Sequence, residues 1–157
     1  MTVRDAEPAD LEPLARLWWS GWRDGHEAIL PSDLARLRTL ESFIERMERA
    51  LVDVRVIGPV GAPVAFHLVK GDELNQFYVD AAARGTGVAA ELMADALLRL
   101  RAAGVELAWL ACAIGNDRAA RFYEKSGWRR AGTAMVRTET SGGPYPLKVW
   151  GFEKPLA

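Results

Sequence analysis

Arg84-Gly85-Thr86-Gly87-Val88-Ala89 is the stretch on which the reading of this chain turns. It joins a run rich in β-branched and aromatic residues, Leu74 to Val79, to a helical run, Val88 to Ala103. Glycines at such a junction let the backbone take positive φ angles and approach a ligand closely. The free N–H groups of the next helix's first turn then point outward, and the helix dipole favours a negative charge in front of them. Arg84 adds a permanent cation beside the turn. On these residues alone two readings stand, a phosphate or pyrophosphate cradle and a purely structural tight turn. A Walker-type loop is excluded, because Val88-Ala89 stand where it needs Lys followed by Ser or Thr. A dinucleotide fingerprint needs an acid at the end of the next strand, and Ala111-Cys112-Ala113 stand there instead.

Outward from the turn the periodicities are clear. In Val88 to Ala103, Leu92, Met93, Ala96, Leu97 and Leu100 form an apolar stripe, and Glu91, Asp95 and Arg99 follow on another face at i, i+4 spacing. Gly104 ends the helix. Leu107 to Ala113 is then too continuously apolar to leave one face in water. Strand, helix and strand in succession imply a parallel pair with a crossover. Upstream, Val54 to Ile57, Ala62 to Val69 and Leu74 to Val79 read as consecutive antiparallel strands, separated by Gly58-Pro59, Gly61 and Gly71-Asp72. Downstream, Asp117 to Ser126 reads as a helix stopped by Gly127, and Trp128 to Thr140 with Leu147 to Glu153 as a strand pair.

At the N-terminus, Thr2 to Asp5 suits a short strand, and Pro8-Ala9-Asp10 a helix start. Leu11, Leu14, Trp18 and Trp22 make one helical face, Gly25 and Pro31 break the pattern, and Ser32 or Asp33 caps a second helix. A third is expected from Glu41 to Leu51. The class is α/β with a mixed, mostly antiparallel sheet flanked by helices.

The 157 residues suit a single domain over positions 1–157, half apolar and 26% charged. A formal net charge of -1 offers no global attraction to nucleic acid or an acidic membrane. The lone Cys112 cannot form an internal disulfide, so a reducing cytoplasm is the expected compartment. No stretch has the apolar length of a membrane span, and Met1 to Asp10 lacks the apolar core of a signal peptide. Two distant histidines and one cysteine make no metal site.

The second motif lies about thirty residues beyond the first, at Asn116-Asp117-Arg118-Ala119-Ala120-Arg121-Phe122-Tyr123-Glu124-Lys125-Ser126-Gly127-Trp128. With it the chain resembles the GCN5-related N-acetyltransferase (GNAT) superfamily. Arg84 to Ala89 matches the family's R/Q-x-x-G-x-G/A pyrophosphate signature, and Asn116 to Trp128 its N-x-x-A-x-x-F/L-Y-x-K-x-G-F/W segment. The resemblance is close from Val64 to Gly132 and looser elsewhere. It implies a parallel strand pair splayed at the cofactor site. It also implies acetyl-CoA as acyl donor, an amine as acceptor, and direct transfer in a ternary complex. Homodimers are frequent among such relatives.

The resemblance also implies roles. The amides of Gly85, Thr86, Gly87, Val88 and Ala89 would hold the pyrophosphate, with Arg84 shaping the turn. Backbone groups of Phe77, Tyr78 and Val79 would pair with the pantetheine arm as an added strand would. Asn116 would hydrogen-bond the same arm, with helix capping as its plain alternative. Tyr123 would protonate the leaving sulfur, the alternative being a half-buried helix aromatic; a phenol near pKa 10 is well matched to an alkyl thiol. Relatives that acetylate protein N-termini carry a glutamate where this chain has Ala111, so their base does not transfer. Glu73, at the head of the strand leading to the turn, is the first candidate for the base, directly or through water; otherwise it is a solvated strand-end acid. His26 and Trp19 are candidates for the acceptor side, whereas Trp18 and Trp22 read as core, His67 as a hydrogen-bonded core histidine, and Cys112 as inert. A small-molecule amine is the favoured acceptor. A protein N-terminus or lysine, or a non-catalytic acyl-CoA sensor, is the alternative.

Overall fold

The computed structural model describes residues 2–156. Seven strands form one sheet in the order β1-β2-β3-β4-β5-β7-β6. They are β1 (Val3–Asp5), β2 (Val54–Ile57), β3 (Ala65–Lys70), β4 (Glu73–Val79), β5 (Leu107–Ala113), β6 (Arg129–Thr138) and β7 (Tyr145–Pro155). All neighbours are antiparallel except β4 and β5, which are parallel and joined through a helix as expected. Among the described residues there are also five α-helices, α1 (Leu11–His26), α2 (Ser32–Leu37), α3 (Leu40–Ala50), α4 (Val88–Ala102) and α5 (Asp117–Lys125), and three short 3-10 turns.

Strand alternation divides the core between two faces. Val54, Val56, Phe66 and Leu68 point to one side and pack with Leu14, Trp18, Trp22, Phe43 and Met47 of α1 and α3. Ile57 and Ala65 point to the other side, against Val88 and Leu92 of α4. Further along that side, Leu74, Ala108, Leu110, Cys112 and Phe152 pack with Met93, Ala96 and Leu100 of α4 and with Ala120 of α5. Each fully buried Val, Leu, Ile, Phe or Met among them contributes about 1.5–3 kcal/mol. Trp18 and Trp22 are 3% and 6% exposed, so both belong to the core; Trp18 meets Phe43 and Phe66 edge-on.

Local signals explain most boundaries, and the exceptions are instructive. Gly25 does not break α1, which runs on to His26. A glycine costs a helix only about 1 kcal/mol, and packing overrides it. α2 begins at Ser32 with Pro31 in the N-cap position, so neither Ser32 nor Asp33 caps it. α3 starts one residue earlier than expected because Thr39 caps it, its hydroxyl accepting from Ser42 N at 3.2 Å. β3 starts at Ala65, after Val64 N has bonded Ile57 O across the hairpin. Asp10 is fully buried and ties the N-terminus together, accepting from Arg4, Glu7 N and Gly61 N.

Candidate functional site

The two parallel strands touch and then separate. Among the described residues, β4 and β5 share one register pair, Glu73 with Trp109, reinforced by Trp109 N donating to Asp72 O at 3.1 Å. Immediately beyond it, the pairing of β4 with β3 steps from Val69–Leu74 to Leu68–Gln76, leaving Asn75 as a bulge. A bulge bends its strand and increases the local twist. The remainder of β4 therefore leans away from β5, and a cleft of about 710 Å³ opens between them. Phe77, Tyr78 and Val79 lie along one wall, and Ala111, Cys112 and Ala113 along the other. The unbroken apolarity of β5 thus reflects a core on one face and a cleft on the other.

At the far end of β4 stands the glycine turn. Gly85 and Gly87 have φ of 77° and 89°, a region that side-chain-bearing residues avoid, and a Cβ on either would meet nothing within 4 Å. Backbone conformation, rather than crowding, is what requires glycine here. The turn is held below by the Thr86 hydroxyl donating to Ala83 O. Gly87 is the N-cap of α4 and no side chain caps that helix, so its first amides remain available to an anion. The Arg84 guanidinium reaches Asp24 of α1 at 2.9 Å, and Arg118 reaches the same carboxylate at 2.8 Å. Hydrogen bonds first from Arg118 and then from Arg84 lower the Asp24 pKa. Arg84, Gly85 and Ala89 line the cleft; Thr86, Gly87 and Val88 lie on the turn and first helical position without lining it.

Asn116 caps α5, its Oδ1 accepting from Ala119 N at 3.3 Å, while its Nδ2 faces Gly25 of α1. Tyr123 of α5 is half-buried and packs against Phe77, Phe122 and Phe152. It lines the cleft, and burial pushes its phenol well above the usual range, so it carries its proton at every physiological pH. Glu73 lines the cleft too, and burial raises its carboxyl above the ordinary carboxylate value. Cys112 is buried in β5 with its thiol pushed up to about 11, chiefly by burial, which suits an inert role.

The acceptor-side candidates separate. His26 lines the cleft, stacked on Trp22 and edge-on to Tyr78. Burial lowers its pKa to about 4, so the ring is neutral. Trp19 is not among the cleft-lining residues; it packs against the α1–α3 core and lines a separate hollow with Trp22, Ala35 and Thr39, with the Arg23 guanidinium 4.9 Å from its ring. His67 is core, its Nε2 2.7 Å from Asp95 Oδ2, and Asp95 also receives two hydrogen bonds from Arg55. Residues that sequence reasoning passed over are Gly21, which lets α1 approach the Tyr78 ring, Asp24, and the cleft-lining Arg38 and Arg46. Nothing local in the sequence marks the two arginines, because only the tertiary closure buries them.

With this geometry the chain matches other proteins in both sequence and shape. Its residues 11–128 match the model of the acetyltransferase (GNAT) family. Uncharacterized N-acetyltransferases of Mycobacterium bovis and Mycobacterium tuberculosis are each 38% identical over 74 residues, which is 45% of this chain and 47% of theirs. The match thus spans about half the length of those curated relatives. The fold resembles a GCN5-related N-acetyltransferase from Rhodopseudomonas palustris, with a TM-score of 0.75 at 19% identity over 99% of this chain and 95% of that one. It also resembles YncA of Salmonella typhimurium, a putative acetyltransferase solved with acetyl-CoA, with a TM-score of 0.65 at 15% identity over 100% and 94%. No helix among the described residues is long and apolar enough to cross a membrane, and no group of three or more metal-ligating side chains occurs among them. Both motifs lie within the matched span and meet at one cleft, and the chain belongs to the GNAT acetyltransferase family.

Proposed function

We propose that this chain transfers an acetyl group from acetyl-CoA to the primary amine of a small molecule, by direct attack in a ternary complex. One observation carries the reading. The bulge at Asn75 opens β4 from β5, so that a single cleft reaches the glycine turn at Arg84, Gly85 and Ala89, the free edge of β4, and the side chains of Glu73 and Tyr123. The residues suit the donor. A flexible arm ending in a pyrophosphate needs anion-binding amides at one end and an unpaired strand edge beyond, and both are present in that order.

Bound acetyl-CoA supplies an acyl group already activated as a thioester. The amides of Gly85 to Ala89 hold its pyrophosphate, aided by the α4 dipole. Backbone groups of Phe77, Tyr78 and Val79 align the pantetheine arm, and Asn116 offers it Nδ2. Glu73 takes the proton of the incoming amine, directly or through water; its raised pKa brings it closer to a base's working range. Tyr123, held protonated, donates a hydrogen bond to the departing sulfur, although burial makes it a weaker acid than the free phenol that matches an alkyl thiol. The high thiol pKa of Cys112 argues against a covalent acyl-enzyme.

Contacts on the acceptor side favour a small molecule over a peptide. Arg38 donates from Nη1 to Glu139 O and from Nη2 to Thr138 Oγ1, both at 2.6 Å. Tyr145 OH donates to Asp33 at 2.9 Å, and Arg49 pairs with Glu139 at 2.7 Å. These contacts join the α2–α3 segment to the β6–β7 hairpin across what would otherwise be an open groove. The test is Tyr123→Phe, followed by CoA release from acetyl-CoA with amines present. Release should fall about 10- to 1000-fold while CoA binding persists; unchanged release removes Tyr123 from the chemistry.

A further inference from the structure

The charged lining of the cleft is strongly one-sided. Among the described residues it comprises Arg38, Arg46, Arg84, Arg118 and Arg137 against one carboxylate, Glu73. Arg84 and Arg118 belong to the donor end and share Asp24. Arg137 is exposed on β6. Arg38 and Arg46 are different: both are sequestered on the acceptor side, and neither meets a carboxylate among the described residues.

Arg38 is 5% exposed. Its two terminal nitrogens bond only neutral oxygens, Glu139 O and Thr138 Oγ1, and its Nε is buried without a partner. Arg46 lies with its guanidinium 4.2 Å from the Trp18 ring centroid and 5.3 Å from that of Phe43. Those faces attract a cation but carry no negative charge to neutralise it. Nearby carboxylates are committed elsewhere, Glu139 to Arg49 at the surface and Asp33 to Tyr145. Two guanidinium groups drawn out of water side by side, with only Glu139, already paired with Arg49, to attract them, are costly; burial first and then the Arg38 charge lower the Arg46 pKa to about 9. A fold that keeps such a pair beside a cleft recovers the cost when an anion enters, and guanidinium suits a carboxylate especially well.

We propose that Arg38 and Arg46 form an anion seat, and that the acceptor is a small primary amine bearing a carboxylate, of the amino-acid type, held by its acid end with its amine toward Glu73. This rests on the acetyl-transfer reading above and narrows its substrate class. The neutral His26 ring and the Tyr78 hydroxyl line the same cleft and place no competing charge against the seat.

The experiment is calorimetric titration of the CoA-saturated protein with matched acceptors. These are the common α-amino acids, β-alanine and 4-aminobutyrate against their carboxamides, and ethanolamine phosphate against ethanolamine. CoA release from acetyl-CoA is followed in parallel. At least one amino acid should bind about 10- to 100-fold more tightly than its carboxamide. Arg46→Met should reduce that ratio to near unity, Arg46→Lys should keep part of it, and both should retain the thermal stabilisation by acetyl-CoA that shows an intact fold and donor site. Equal binding of acids and amides, tighter binding of ethanolamine phosphate than of every carboxylate, or a ratio unaffected by Arg46→Met overturns the proposal. Arg46-dependent binding of an amino acid without CoA release refutes the transfer reading while leaving the anion seat standing.

Discussion

Gly21→Ala probes how α1 is fitted over the cleft. A Cβ at that position would lie 2.5 Å from Tyr78 Cδ1 and 3.0 Å from Cε1. Ordinary carbon–carbon contact needs about 3.5–4.0 Å, so either the ring or the helix must move by about 1 Å. The ring cannot retreat into the sheet, because it stacks on Phe66 at 5.7 Å with an interplanar angle of 22°. It must swing into the cleft, or α1 must lift away. Such overpacking costs about 1–3 kcal/mol. Against it, alanine gains about 1 kcal/mol over glycine within a helix. The net effect in the wild type is therefore between neutral and about 2 kcal/mol destabilising. In a Tyr78→Ala background the obstacle is gone and the same change should stabilise by about 1 kcal/mol. Urea denaturation of the four proteins gives the coupling directly, expected at about 1–3 kcal/mol. Stabilisation by about 1 kcal/mol in both backgrounds would show that α1 and Tyr78 do not meet as described.

Two further outcomes follow from the carboxylates of Asp10, which is buried, and Glu73, which is half-buried. Burial alone would raise the Asp10 pKa, but hydrogen bonds from Arg4, Glu7 N and Gly61 N outweigh it and lower the value from 3.8 to about 2. The folded pKa lies below the unfolded one, so this stabilisation, about 2 kcal/mol, is complete above about pH 4 and is lost as pH falls toward about 2. Asp10→Asn should remove both that stability at pH 7 and its acid dependence in denaturation curves; an unaltered acid limb would contradict the network. Glu73 has the opposite sign, its folded pKa being raised chiefly by burial, so its ionised form is disfavoured by the fold at pH 7. Glu73→Gln should therefore be neutral or slightly stabilising, yet abolish the acidic limb of the pH–rate profile. A profile unchanged in shape would point to another base.

The glycine-turn end of the cleft is legible in sequence because its signals are local. Gly85 and Gly87 announce positive φ, the apolar spacing of Leu92, Met93, Ala96 and Leu100 announces α4, and Asn116 announces a cap. The splay was known only through family resemblance. It arises from the bulge at Asn75, and whether a residue bulges depends on the register of β3 opposite, which no alternation within 73–79 reveals. Gly25 was misread as a helix end because a glycine's propensity is weak beside the packing of Trp18 and Trp22. Trp19 is expected near the acceptor, but its place on α1 turns it away from the cleft into a separate hollow with Ala35 and Thr39. Arg38 and Arg46 look like ordinary surface cations in the chain, and only the contacts of α2 and α3 with the β6–β7 hairpin bury them.

On the proposed reading, the cleft between β4 and β5 is where an acetyl group passes from acetyl-CoA to an amine. The most direct measurement is the release of free CoA by the wild-type chain, with the product mass determined in the same reaction, across primary amines. Saturable, amine-dependent CoA release is expected, matched by an amine heavier by one acetyl group and greatest for an amine that carries a carboxylate. Acetyl-CoA that binds and stabilises the protein but is never turned over, with any amine, would contradict it.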